Sequence, residues 1–170
     1  AIVIFASADL DRALDAALLA IFSGNGQQCL AGSRILLEKS ISEAFLARFA
    51  DRARQLRIGD PMLDSTEMGP LGSAAHRDRV LSYVKIAQED GATLLTGGVP
   101  QMAGDLAGVY FIEPTAVLAP SNAARVCQEE IFGPFATFLT FEGYDQAMQM
   151  ANDTEFGLVS YVWSDHLPTG

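Results

Sequence analysis

The stretch 22–34, FSGNGQQCLAGSR, holds the residues best able to do chemistry. Cys29 stands between a glycine turn and a short apolar run, and Gly24, Gly26 and Gly32 remove side chains from around its sulfur. A thiolate so placed suits attack on a carbonyl carbon, because sulfur is nucleophilic and leaves well from a thioester. The bland alternative for a lone cysteine is a small buried hydrophobe. A carboxylate pair, Glu129-Glu130, precedes Phe132 and a Gly133-Pro134 turn. As residues alone, they fit a solvated acidic pair equally well. Cys127 lies beside that pair, whose negative charge is expected to raise the thiol pKa and leave it structural. His76 and His166 accompany no serine or cysteine motif. A Cys29–His76 hydrolase dyad would therefore have to be assembled by the fold alone.

The elements that must position these groups follow from apolar periodicity. Residues 2–5 read as a buried strand. Leu10, Leu14, Leu18 and Phe22 recur every four residues behind Ser7-Ala8-Asp9, which supplies a cap; the helix stops at Ser23-Gly24-Asn25-Gly26. Residues 35–37 form a second strand. Ser40 and Glu43 have the spacing of a capping box, opening a helix through Ile41, Phe45, Phe49, Ala53 and Leu56. A long loop covers 59–72. A helix over 73–89 points Val80, Val84 and Ala87 inward and stops at Gly91. A short strand spans 92–96, and 100–108 has turn composition. Residues 109–118, broken by Pro114, predict two edge-type strand pieces. A strand over 135–141, a helix over 144–151, a turn at Asn152-Asp153-Thr154 and a strand over 158–163 complete the chain. Alternating strands and helices predict an α/β domain, a parallel sheet with flanking helices.

The pattern FxxxGQxC, met by residues 22–29 and followed by Leu30-Ala31-Gly32-Ser33, resembles the cysteine signature of the NAD(P)-dependent aldehyde dehydrogenase superfamily. Gln128-Glu129-Glu130-Ile131-Phe132-Gly133-Pro134 resembles the EEIFGP segment of that family, and Glu113-Pro114-Thr115 its EPT element. Residues 151–158, ANDTEFGL, resemble a further family stretch. These motifs run in family order over essentially the whole chain. The resemblance implies the fold of the family's catalytic domain, an aldehyde substrate, and NAD or NADP as cofactor. It implies that Cys29 is the nucleophile, with its own backbone N–H helping to hold the oxyanion. Glu130 would bond the nicotinamide ribose, and Phe132 would pack beside the nicotinamide ring. Gln28 and Leu30, flanking the nucleophile, would line the substrate pocket. Ser160-Tyr161-Val162-Trp163 resembles the strand of members that act on semialdehydes from aromatic-ring degradation.

The same resemblance makes residues 1–170 most of the cysteine-bearing catalytic domain. The dinucleotide-binding domain, the general-base glutamate of an ELGG motif, the oxyanion asparagine and a C-terminal segment with a PFGG loop are then expected outside it. No phosphate-cradling glycine motif opens a helix after a strand here, in keeping with that expectation. It also implies a homo-oligomeric parent protein, and weak or no turnover by these 170 residues alone. Two other readings remain open: a non-catalytic oligomerisation or interaction module derived from the family, and a thiol esterase using Cys29 alone.

Composition narrows the partners. A net charge of −10 argues against nucleic acid, which calls for a basic stripe. No apolar run approaches the ~20 residues of a membrane span. Two cysteines are too few for a disulfide framework and too isolated for zinc, so no metal and a reduced, cytoplasmic setting are expected. The charged fraction, 19%, falls below the common value of about 25%, as it would if part of the surface were covered by another region of the protein. After Val126 there is no Lys or Arg, while seven acids alternate with aromatic residues. That composition predicts a packed segment, not a solvated tail, and the resemblance, through Glu130, implies that it lines the cofactor cleft.

Overall fold

The computed structural model describes residues 1–101 and 109–166. One sheet contains β1 (Ile2–Ile4), β2 (Arg34–Glu38), β3 (Thr93–Thr96), β4 (Thr115–Leu118), β5 (Phe135–Phe141) and β6 (Tyr161–Trp163), in the order β3-β4-β5-β2-β1-β6. The helices are α1 (Leu10–Phe22), α2 (Lys39–Arg54), α3 (Ala74–Glu89), α4 (Arg125–Gln128) and α5 (Gly143–Asn152). All neighbouring strands are parallel except β3 and β4. β1 with β2 and β4 with β5 are joined through helices and pair parallel, whereas β3, reached from β2 through α2 and α3, runs opposite to the other five strands. Between β3 and β4 the described residues contain no helix, and the chain doubles back antiparallel.

Side-chain alternation along the strands separates two cores. Ile2, Ile4, Ile35, Leu37, Ala136 and Phe138 face α1 and α2. Val3, Leu36, Phe135, Leu139 and Phe141 face α3, α4 and α5. β1, β2 and β5, at the centre of the sheet, are therefore largely apolar on both sides, as a sheet covered by helices on both faces requires. Phe138 is fully buried and meets Phe49 edge-on at 4.8 Å between ring centroids. Burial of one such ring contributes about 1.5–3 kcal/mol.

Several boundaries differ from expectation for identifiable reasons. Ser40 and Glu43 form no capping box. β2 runs directly into α2, whose N-cap is Glu38 without a side-chain cap, and the Glu38 carboxylate instead accepts from the Ala6 N–H at 2.7 Å. The pairing of Glu38 with Phe141 places the boundary upstream of Ser40. The expected edge strands in 109–118 reduce to one interior strand, β4, between β3 and β5. Pro114 falls just before it, where a missing N–H breaks no ladder bond, and Ile112 makes only an isolated bridge to Pro100. The last strand pairs over Tyr161–Trp163 only. Most of the turn expected over 100–108 lies outside the described residues. The cap expected at Asp9 is present, its carboxylate accepting from Arg12 N–H at 3.1 Å, and Ser73, read as the first helical residue, is instead a cap whose Oγ accepts from His76 N–H at 3.2 Å. Gly91, at φ +83°, ends the turn after α3.

Candidate active site

The segments that lead into β1, β2, β5 and β6 converge at the amino ends of these four adjacent strands. They enclose an open cavity of about 320 Å³ whose wall includes Gln28, Cys29, Cys127, Glu130, Phe132 and Phe156. Leu30 is not among the residues lining it; its side chain is exposed and its carbonyl accepts from Tyr161 Oη at 3.1 Å.

The loop bearing Cys29 is held by backbone geometry. After α1, a tight turn over Ser23–Gly26 carries Gly24, Asn25 and Gly26 at φ +57°, +59° and +67°. Gly26 is required twice over. Its φ favours glycine, and a Cβ there would lie 2.1 Å from the Gly133 carbonyl oxygen. The cysteine loop and the 129–134 segment thus touch backbone to backbone. Asn25 bridges to the long 59–72 loop, with Oδ1 accepting from Gly69 N–H at 2.7 Å and Nδ2 donating to the Pro70 carbonyl at 3.0 Å. Gln27 Oε1 accepts from Gly72 N–H at 3.3 Å. That loop, read from sequence only as a connection, is the buttress of the turn before Cys29. Cys29 itself is exposed at the cavity wall.

The 129–134 segment packs against α3. Arg79 donates to the Ile131 and Glu130 carbonyls at 2.7 and 2.5 Å. His76 Nε2 lies 2.8 Å from the Phe132 carbonyl, and the His76 and Phe132 rings stack with centroids 6.5 Å apart. A carbonyl only accepts, so His76 carries its proton on Nε2 in this contact. His76 makes this bond, not a dyad with Cys29. Phe132 has φ +60°, uncommon for a bulky side chain. Glu129 is anchored, not merely solvated: Tyr83 Oη donates to its carboxylate at 2.8 Å. Burial, then this bond, raises the Tyr83 pKa. Glu130 is exposed on the cavity wall, and among the described residues its carboxylate has no hydrogen-bond partner.

Cys127, on the four-residue helix α4 that the sequence did not suggest, is buried. Its thiol is pushed up to about 12, first by burial and then by the charge of Asp90, while Arg34 opposes the rise. The expected inertness has a different origin from the one expected, since burial outweighs any carboxylate and the carboxylate involved is Asp90. Arg34 heads a network: it donates to Asn122 Oδ1 at 2.7 Å and the Ala151 carbonyl at 2.9 Å, and Asn122 Nδ2 donates to Asp153 at 2.9 Å. Asn152-Asp153-Thr154 is thus more than a turn; it ties the 151–159 segment to β2. An arginine opening an otherwise apolar strand was the one sequence signal of this network. For His76 and Arg79 the signal was two donors one helical turn apart. Among the described residues no group of His, Cys, Asp or Glu could hold a metal ion, and no helix is long and apolar enough to cross a membrane.

A sequence profile described as the aldehyde dehydrogenase family matches residues 1–169. The chain belongs to the aldehyde dehydrogenase family. It is 47% identical over 167 residues to 5-carboxymethyl-2-hydroxymuconate semialdehyde dehydrogenase of Escherichia coli, covering 96% of this chain and 35% of that protein. PnpE of Pseudomonas sp. WBC-3, solved in complex with nicotinamide adenine dinucleotide, superposes with a TM-score of 0.96 at 47% identity, over 99% of this chain and 34% of that one. Betaine aldehyde dehydrogenase of Staphylococcus aureus, in complex with NAD+, gives a TM-score of 0.96 at 38% identity, over 98% and 33%. This chain spans about a third of the length of each of these relatives. The α/β fold expected from the alternation of elements is the fold of the family.

Proposed function

We propose that the protein carrying this chain oxidises an aldehyde to a carboxylic acid with NAD or NADP, and that Cys29 is its nucleophile. The observation that carries the reading is the placement of Cys29, Glu130 and Phe132 on the wall of one cavity. The NAD complexes of two relatives support the choice of cofactor.

The residues present fit a nicotinamide ribose on one side of the cavity. Glu130 offers a carboxylate without a hydrogen-bond partner among the described residues, able to accept from a pair of hydroxyls, and the half-buried Phe132 offers a ring face beside it. When bound, the nicotinamide supplies a hydride acceptor. The Cys29 thiolate forms a C–S bond to the aldehyde carbon, and the carbonyl π pair moves to oxygen, giving a thiohemiacetal. Collapse of that oxyanion re-forms C=O as hydride leaves with its electron pair, so Cys29 then carries a thioester. Water adds to the thioester, the C–S bond breaks, and the acid departs with the thiolate restored. Gln28 lines the same wall, and we assign it to contact with the substrate. We assign the general base and the dinucleotide-binding domain to sequence outside these 170 residues, and expect this chain alone to turn over weakly. Relatives named for a semialdehyde and for betaine aldehyde support an aldehyde as the substrate class.

In the full-length protein, Cys29→Ala is expected to lower kcat/KM for NADH formation by about 10³-fold or more. Cys127→Ser should leave it within a few-fold. A Cys29→Ala variant with wild-type turnover removes the proposal. Hydrolysis of nitrophenyl esters without NAD, and no NADH from any aldehyde, would favour the thiol esterase instead.

A further inference from the structure

We infer that His76 and Arg79 are positioning residues that set the cofactor-facing segment 130–132 through hydrogen bonds to its main chain. The inference rests on the assignment of Glu130 and Phe132 to the cofactor. Three consecutive carbonyls, of Glu130, Ile131 and Phe132, each meet a donor from α3. The donors stand three residues apart on one helix, so one face presents both. These carbonyls precede β5 and lie outside the sheet ladder. Without α3 they would be left to water, and the segment would lose its reason to adopt one conformation.

The geometry demands such support. Phe132 is held in the left-handed region, which a bulky residue leaves readily unless its surroundings forbid it. On its far side Gly133 is closed in, since a Cβ there would lie 2.6 Å from Val80 Cγ2, one residue along α3 from Arg79. Tyr83, the next turn of the same helix, bonds the Glu129 carboxylate, and the Arg79 guanidinium lies 5.4 Å from the Tyr83 ring centre. One helix therefore fixes residues 129 to 133 in succession. The bonds at 130–132 go to backbone oxygens, and that choice matters. Arg79 directs donors to carbonyls and forms no ion pair with Glu130 among the described residues, so the carboxylate stays free on the cavity wall. The Glu130 carboxylate meant to meet the cofactor is left unengaged while the backbone of 130–132 is immobilised, and one face of the Phe132 ring is braced by His76.

The test uses the full-length protein, with NAD as the varied substrate. His76→Leu and Arg79→Met are each expected to raise KM for NAD about ten-fold. KM for the aldehyde, and the rate at which iodoacetamide alkylates Cys29 without cofactor, should stay within about two-fold. His76→Gln places an amide donor near the position of Nε2 and should restore KM for NAD to within about three-fold. Arg79→Lys, with one donor where two bonds stood, should fall between wild type and Arg79→Met. Glu130→Gln serves as the reference for the cofactor assignment itself. If Glu130→Gln raises KM for NAD while the α3 variants do not, positioning is overturned and the cofactor assignment stands. If Glu130→Gln leaves it unchanged, the assignment fails and takes the inference with it. A uniform fall in every kinetic constant in step with Tm, not rescued by His76→Gln, reduces α3 to a structural support and also overturns the inference.

Discussion

At the carboxyl ends of β2 and β5 the chain passes into α2 and α5 with almost no connecting loop, whereas at their amino ends it arrives through turns, left-handed residues and glycine contacts. The carboxyl end is closed by side-chain contacts between the segments that leave the strands: Lys39 pairs with Glu142, Glu38 accepts from Ala6 N–H, and Ser7 Oγ lies 3.1 Å from Ser164 Oγ. The amino end is assembled by backbone meeting backbone at Gly26 and Gly133 and by carbonyls that accept from α3, and there the exposed thiol sits. Open α/β sheets usually bind ligands outside the carboxyl ends of their strands. Here the end that demands conformational precision is the opposite one. The contrast shows where strain is tolerated: Asn25 and Phe132 hold unfavourable φ values on the two segments that meet beside Cys29.

Two glycines with similar dihedrals make the comparison quantitative. Gly26 at φ +67° abuts the Gly133 backbone, while Gly143 at φ +77° opens onto space, with nothing within 4 Å of where a Cβ would stand. Gly26→Ala is expected to destabilise by about 2–5 kcal/mol, combining the left-handed penalty with a clash against rigid backbone, and to abolish turnover. Gly143→Ala bears only the first contribution, about 1–2 kcal/mol, and should keep full activity. Urea midpoints and kcat/KM on the two variants check this. Equal losses in both would erase the distinction between the ends.

The next contrast lies within the site. Cys29 and Cys127 line the same cavity, yet one is exposed and the other buried among Val126, Ala124 and the Ser121 carbonyl, 3.6 Å from its Sγ. With its thiol pushed up to about 12, Cys127 remains protonated at pH 8. One equivalent of iodoacetamide is expected on the folded protein, at Cys29, and the second cysteine should react only in denaturant. Peptide mapping decides it. Labelling of Cys127 in the folded state would mean that the inner wall opens.

Much of this architecture was legible because apolar periodicity reports burial directly. Leu10, Leu14, Leu18 and Phe22 announced α1, and the glycines around Cys29 announced a loop shaped for approach to the sulfur. What stayed hidden depends on contacts between distant residues. Ser40 and Glu43 satisfied a local rule, but strand pairing of Glu38 with Phe141 set the helix start. Pro114 suggested an edge, yet its place one residue before β4 made the strand interior. His76 looked idle because its partner is a carbonyl 56 residues away, and a backbone oxygen has no signature in sequence. The buttress role of 59–72 was invisible for the same reason: Asn25 and Gln27 bind its main chain.

The smallest expected effect belongs to the carboxyl end. Lys39 and Glu142 meet at 2.5 Å, but both side chains are 67% exposed, so solvent and salt screen the pair. Their mutual hydrogen bond lowers the Glu142 pKa below its ordinary 4.5 and raises that of Lys39 above its ordinary 10.5. A depressed carboxylate stabilises the fold fully above 4.5 and loses that contribution as pH falls through the lower folded value. A raised lysine stabilises fully below 10.5 and loses it as pH rises through the higher folded value. The Tm gap between wild type and Glu142→Gln should therefore form a plateau between these two ordinary values at low ionic strength. It should close outside them, and shrink throughout in added salt. Turnover should not change, because the pair sits at the end of the sheet opposite Cys29. A Glu142→Gln variant that weakened NAD binding would show that the two ends are coupled through β2 and β5, and the division between a quiet end and a working end would have to be abandoned.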